Sequence, residues 1–216
     1  TPASGPRILI ADETRSREII QEISKALKQI TEESDFSSVH ILLANKDEIK
    51  DFSEEDFSLR TSYSFHWFNN HYLSFENFLQ DMTSRQRKNI KKERKKINDQ
   101  GVTVSRIFGS EITLEMLETF YQFYQVTYLK RGMRGYLNFE FYKKIVDSIP
   151  ETIMLVLAKS NSGEYVAGAL NFFDDEKLYG RYWGCLQEYD SLHFETCYYQ
   201  GIEFCIEEKL KSFDPG

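Results

Sequence analysis

Read for side chains that could do chemistry, the sequence concentrates them in residues 179–200. Alternation along 179–184 puts Tyr179, Arg181 and Trp183 on one face of a strand and Gly180, Tyr182 and Gly184 on the other. A planar guanidinium between two aromatics is costly unless a partner satisfies it. Arg181 therefore either pairs inside the fold, with Glu195 as the expected partner, or holds the carboxylate or phosphate of a ligand. His193 and Glu195 lie in the first turn of a following helix. They are either a hydrogen-bonded core histidine and a carboxylate that offsets the helix dipole by about 0.3–1 kcal/mol, or a pair of which one member relays a proton. Tyr199 and Gln200 extend polar tips from the same helix, while Tyr198 reads as core. Asn171, on the neighbouring strand, can orient a substrate with its amide or be satisfied within the sheet.

Three further groups stand apart. His66 shares a strand face with Ser62 and Ser64, opposite Tyr63, Phe65 and Trp67, and is either structural or turned toward a cleft. Arg131, Arg134 and Tyr136 in KRGMRGY form a glycine-loosened basic loop, suited to gripping an anionic substrate or to capping helix carbonyls. Residues 85–96, RQRKNIKKERKK, set Arg85, Arg87, Lys88, Lys91, Lys92, Arg94, Lys95 and Lys96 against Glu93 alone, a local +7 in a chain of formal net charge −7. Such a run is a solvated helix face or a site for phosphate, because the acidic remainder cannot cancel its potential within a Debye length of about 8 Å. Phosphate could mean RNA, a nucleotide-diphosphate sugar, coenzyme A or a lipid headgroup.

Composition bounds what can carry these groups. The chain has 216 residues, 41% of them hydrophobic, with 13 Tyr and 17 Phe, enough apolar area for a core and too little length for a second complete enzyme domain. The three cysteines, Cys185, Cys197 and Cys205, show no CxxC or Cys/His ligand spacing, so neither a disulfide framework, a structural zinc site nor any other metal site is indicated, and they point to a reducing compartment. The longest apolar run, residues 153–158, is far short of the roughly 20 residues that cross a bilayer, and residues 1–10 lack signal-peptide character. The expectation is a cytoplasmic, soluble protein.

Periodicity assigns the positioning elements. A helical stripe over 18–30 feeds a short β-rich run at 39–43, and 60–68 alternates as a half-buried strand. Phe75, Phe78, Leu79, Met82, Ile90 and Ile97 form the seam of one long helix that carries the basic run and ends at Gly101. A strand at 102–108 and helices at 113–131 and 139–149 follow. Strands at 152–159, 165–173 and 177–184, joined by short turns, imply an antiparallel meander. A helix over 193–210, N-capped by Asp190 or Ser191, leads to a last strand near 213. This order is the one found in GNAT-type acyltransferases.

The stretches SRQRKNIKKERKKINDQGVTV (84–104), VAGALNF (166–172), LYGRYWGC (178–185) and LHFETCYYQGIEFCIE (192–207), with the opening TPASGPRIL, resemble the FemAB-like, peptidoglycan-biosynthesis-type branch of the GNAT superfamily. The resemblance runs through nearly the whole chain. It implies a single α/β (α+β) GNAT-like acyltransferase domain, a mixed and mostly antiparallel sheet flanked by helices. It also implies kinship with the bacterial Fem enzymes, which attach amino acids from aminoacyl-tRNA to a peptidoglycan precursor. Members usually carry another folded half before the equivalent of Thr1 and continue past the equivalent of Gly216 into a Gly-rich stretch holding a His and a Lys. The chain is thus expected to be the C-terminal half of a longer protein, with that missing half as a partner.

On this resemblance the expected reaction is transfer of an acyl or aminoacyl group to an amine, with His193 or Glu195 assisting proton transfer and Arg181 orienting the substrate. His66, Arg131, Arg134, Tyr136, Asn171, Tyr179, Trp183, Tyr199 and Gln200 would bind substrate, and the basic run would bind phosphate or RNA. No bound cofactor is expected. GNAT enzymes that use acyl-CoA cradle its pyrophosphate in a Gly-rich turn after the fourth strand. Here that turn, residues 186–191, holds two acids and no glycine, which favours aminoacyl-tRNA as donor over acyl-CoA. The competing class is a non-catalytic module that uses the basic helix to bind RNA or an anionic surface.

Overall fold

A computed structural model of the protein describes residues 5–216, divided into one unit that ends at Tyr63 and a second, Ser64–Gly216. Residues 1–4, where the run read for a leader and the TPASGPRIL stretch begin, lie outside the described residues. The first unit is helical. Its α1 (Ser16–Glu33) extends the expected stripe, and α2 (Lys46–Glu54) starts at a capping box in which Asn45 and Glu48 satisfy each other's backbone N–H groups. No strand forms over 39–43: Leu43 adopts φ 56°, which interrupts extended backbone, and the β-branched residues there find no partner strand.

The second unit is a six-stranded sheet with helices on both faces. Its strands are β1 (Trp67–Phe68), β2 (Val102–Phe108), β3 (Ile153–Ser160), β4 (Tyr165–Phe173), β5 (Lys177–Cys185) and β6 (Ser212–Asp214), in the spatial order β1-β6-β5-β4-β3-β2. All neighbours are antiparallel except β5 and β6. The half-buried strand expected over 60–68 shrinks to two residues, since Tyr63 and Phe65 are 90% and 86% exposed. Only Trp67 finds the core, edge-on to Phe78 at 5.8 Å between ring centroids.

The long basic helix is two helices. Between α3 (Phe75–Gln80) and α4 (Ser84–Asp99), Thr83 takes an extended conformation and forms a capping box with Gln86. The Arg87 guanidinium folds back onto the carbonyl oxygens of Leu79 and Met82 at 3.3 and 3.4 Å, satisfying the end of α3. Helices α5 (Leu114–Leu129) and α6 (Phe139–Ser148) pack on one face of the sheet, where Phe120, Phe123, Tyr124 and Tyr142 meet Leu155, Leu157 and Leu170. On the other face, α3, α4 and a C-terminal helix meet Met154, Val156, Ala169 and Phe213.

That C-terminal helix is not uniform. It begins as α7 (Leu192–Phe194), widens into a π-turn over Glu195–Tyr199, and continues as α8 (Gln200–Glu207). Neither expected cap acts through its side chain: Ser191 sits at φ 68°, and Asp190 is drawn away into an ion pair with Lys96. Among the described residues no helix is long and apolar enough to cross a membrane.

Close packing of β5 against α5 supplies a stability test. A Cβ added at Gly184 would lie 2.1 Å from the Phe123 carbonyl oxygen, a backbone atom that cannot swing aside. Gly184→Ala should cost about 3 kcal/mol, at the top of the range for overpacking, measured as a lower urea midpoint at unchanged slope.

Candidate active site

Strands β5 and β6 pair only at Lys177, Leu178 and Tyr179. Beyond that point β5 runs on while Pro215 and Gly216 press against Gly180, and a cavity of about 400 Å³ lies beside the freed edge. Its walls come from four directions: Tyr124, Thr127, Tyr128 and Arg131 of α5; Ala169, Leu170 and Asn171 of β4; Gly180 to Trp183 of β5; and His193, Cys197 and Tyr198 of the C-terminal helix.

A β-bulge aims the central residue. In the ladder Leu170 faces Tyr182 and the next residue, Asn171, faces Gly180, so Arg181 is the unmatched extra residue. This corrects the uniform alternation expected along β5. Leu178 packs into the core on the α8 side, whereas Tyr182, four residues on, packs against α5 and α6. Arg181 does not pair with Glu195. Its guanidinium donates to the Gly180 carbonyl at 2.7 Å, lies 3.5 Å from Asp214 and stacks 5.2 Å over the Tyr179 ring. The Tyr179 hydroxyl donates to Asp174 at 3.2 Å, outside the cavity.

Of the other expected residues, Arg131, Asn171, Trp183 and His193 line the cavity with Arg181. Asn171 is buried, donating to the Met154 carbonyl at 3.4 Å. His193 stands at the rim with its ring edge-on to Trp183 at 5.1 Å and to Tyr198 at 5.7 Å. Burial among these neighbours holds its imidazole below the usual histidine value. Tyr198, read as core, is instead a wall of the cavity. His66 sits outside, 4.0 Å from Asp214 and hydrogen-bonded to Ser64. Arg134 is exposed, and Tyr136 reaches the site through two lining residues, its hydroxyl 3.4 Å from that of Tyr182 and its ring edge-on to Tyr128 at 5.7 Å.

Glu195, Tyr199 and Gln200 face away from the cavity, toward α4, and this corrects their expected roles. The Arg94 guanidinium donates from Nε and Nη2 to Glu195 at 3.1 and 3.0 Å, and from Nη1 and Nη2 to Glu203 at 3.3 and 2.8 Å. Gln200 donates to Glu195 at 2.7 Å, and the Tyr199 hydroxyl donates to Glu93. Burial works against the Arg94 charge, but the bonds and charges of Glu203 and Glu195 outweigh it, so the group stays ionised.

The basic run is largely spent in the same way. Arg87 caps α3, Lys91 pairs with Glu76, Lys95 with Asp99 and Lys96 with Asp190. Arg85, Lys88 and Lys92 are exposed and make no hydrogen bond or ion pair among the described residues. Spaced at i, i+3 and i+7, they form one outward stripe. Gln100 exchanges two hydrogen bonds with the backbone of Asp190, so α4 also fixes the turn where a GNAT pyrophosphate cradle would lie.

The lining carries the chemistry of the cavity. Its ionisable side chains are two guanidiniums, one imidazole, phenols and a thiol, and the Asp214 carboxylate lies 3.5 Å from Arg181 just outside the lining. Burial pushes the Cys197 thiol up to about 12, so at neutral pH it is a wall and not a nucleophile. Burial and the neighbouring Tyr136 raise the Tyr182 phenol, keeping it a proton donor. Tyr124, Thr127, Tyr128 and Tyr182 were not singled out from sequence. The signal was present in the i, i+4, i+7 spacing of Tyr124, Tyr128 and Arg131, which reads equally well as a core stripe.

Comparison with known proteins gives the following. The profile of the FemAB-like family, described as peptidoglycan biosynthesis/recognition, matches residues 1–216. No protein of curated function matches the sequence. Among solved structures, FemX superposes with a TM-score of 0.52 at 14% identity, covering 97% of this chain and 70% of that one. L-PGS from Bacillus licheniformis superposes with a TM-score of 0.53 at 12% identity, covering 94% of this chain and 57% of that one. The C-terminal DUF2156 domain of an Agrobacterium fabrum protein assigned as a lysylphosphatidylglycerol synthetase gives 0.43 at 10% identity, covering 57% of this chain and 39% of that one. The chain thus spans just under three fifths and about two fifths, respectively, of the length of the latter two. At these identities the likeness is one of fold: a GNAT-like mixed α/β arrangement with a mostly antiparallel sheet between helices.

The depressed imidazole gives a testable sign. In a proton NMR titration His193 should change protonation below the free-histidine value of about 6.5 and be neutral at pH 7. Because the unfolded chain then binds the proton more tightly, this residue's contribution to stability is whole above about 6.5 and is lost as pH falls toward the folded value.

Proposed function

The chain belongs to the FemAB-like family of peptidoglycan biosynthesis and recognition, and from that premise we propose that it is an N-acyltransferase passing an acyl or aminoacyl group to an amine acceptor in the cleft beside β5. The observation that carries the reading is the lining itself: a neutral base and two guanidiniums, one of them paired with Asp214, converge among aromatic walls. An amine entering beside these guanidiniums is pushed toward its neutral, nucleophilic form. It attacks the carbonyl carbon of an activated ester, His193 takes the proton released, and the departing alkoxide takes that proton back. Arg131 and Arg181 grip an anionic group on the substrate and fix its approach. The protonated Tyr182 phenol is a donor for the developing oxyanion.

For the donor, aminoacyl-tRNA fits better than acyl-CoA. The turn over 186–191 offers no glycine, and its Asp190 carboxylate, tied to Lys96, would repel a pyrophosphate. The outward stripe of Arg85, Lys88 and Lys92 is free to meet RNA phosphates. The acceptor is an amine on a peptidoglycan precursor or a lipid, the two settings suggested by the family and by the L-PGS likeness.

The test is mass spectrometry of amine acceptors incubated with the full chain and either a charged tRNA pool or an acyl-CoA pool. A mass gain of one aminoacyl residue is expected with the tRNA pool, and failure with both pools by folded protein would sink the reading. His193→Ala should lower turnover by about 10²–10⁴-fold with the fold intact, while Arg181→Gln should act mainly on KM. Replacing Arg85, Lys88 and Lys92 with Ala should flatten the salt dependence of tRNA binding by roughly 2–3 units of slope. Replacing Lys91 and Lys95, which are already paired, should change it by less than one.

A further inference from the structure

The helix that carries His193 runs directly into a π-turn, and that turn is gripped from outside the cleft. The Gln200 backbone N–H donates to the Glu195 backbone carbonyl, five residues back, and three side-chain pairs repeat that spacing. The rings of His193 and Tyr198 meet edge-on, those of Phe194 and Tyr199 stack at 6.5 Å, and Glu195 accepts from Gln200. In α geometry five residues advance about 500°, which would leave Tyr198 roughly 140° around the helix from His193. The i→i+5 spacing swings the two toward the same side of the helix. Because of it, Tyr198 joins His193 and Cys197, which share a face at i, i+4 spacing, in lining the cavity.

What stabilises this unusual turn is on α4. Two adjacent residues there hold its two ends: Arg94 takes Glu195, the first residue of the turn, and Glu93 takes Tyr199, the last. Arg94 makes both of its contacts as forks, to Glu195 and to Glu203 in α8, with its guanidinium 4.7 Å over the Phe75 ring. Glu195 is buried, so a tightened turn that swung its carboxylate off this fork would leave a desolvated charge without its cation.

We propose that Arg94, assisted by Glu93, is a positioning residue: a clamp that holds the helix across the cleft in its π register and so sets His193 against Tyr198 and Trp183. The claim goes beyond the acyltransferase reading and does not depend on it, because its readout is the geometry of the cleft wall and not turnover.

The deciding variant in the full chain is the triple substitution Arg94→Gln, Glu195→Gln and Glu203→Gln, which removes the fork without stranding a buried charge. Histidine ring NMR and amide hydrogen exchange are the readouts, with the β3–β4 amides as internal reference for global stability. The triple variant should move the His193 titration midpoint up toward the free-histidine value. Exchange over residues 195–200 should quicken roughly tenfold relative to the reference strands. Arg94→Lys, which keeps the charge but not the fork, should fall between. If the triple variant retains the native His193 midpoint and local exchange, the clamp is overturned. Should that variant not fold, Arg94→Lys decides on the same readouts, a native result again overturning the proposal.

Discussion

A guanidinium drawn partly out of water is stable only where carboxylates replace its hydration with matched geometry, and two carboxylates drawn in with it are stable only while it stays. Arg94, Glu195 and Glu203 are bound by that mutual condition. Much of the site side of the protein follows from it. The interaction ties α4 to the C-terminal helix at the π-turn and turns Glu195 away from the cleft. It also converts part of a basic run into internal structure. The partners of Arg87, Lys91, Lys95 and Lys96 extend the same pattern along α4, leaving only a narrow outward stripe of uncommitted charge.

A second constraint opens the cleft that the clamped helix borders. Parallel pairing of β5 with β6 lasts three residues, and the bulge at Arg181 falls just after it. A bulge bends its strand and adds local twist, which suits a point where two strands must part. The result is a half-open cleft that collects aromatic walls and two guanidiniums, one of them paired with Asp214, in a protein whose net charge is negative. That local reversal is the feature on which the proposed reaction rests.

Residue patterns foretold the architecture unevenly. The meander β3–β5 and helices α5 and α6 were legible because each has a strong period bounded by turn residues, and the GNAT-like order followed. The strand at 39–43 and most of that at 60–68 were not formed: alternation by itself pairs nothing, and these segments lack an adjacent strand to complete a ladder. The break between α3 and α4 was written in Thr83 and Gln86, but an apolar seam that continued through it masked the cap. The bulge at Arg181 was illegible, because an extra residue changes the facing of everything after it while leaving the alternation of residue types untouched.

The sequence by itself determined which residue types were at hand: an arginine between aromatics, a histidine at the start of a helix, a concentrated run of cations, and the family to which these belong. It left open, for each of them, the choice between ligand and internal partner. Tertiary structure decided that choice. Arg181 went to the cleft edge with Asp214, Glu195 to Arg94, and Tyr198 from expected core to cavity wall. The reason is physical: charge and hydrogen-bonding capacity belong to a side chain, but which partner satisfies them depends on distances between residues about a hundred positions apart, and those distances exist only once the sheet and its helices are assembled.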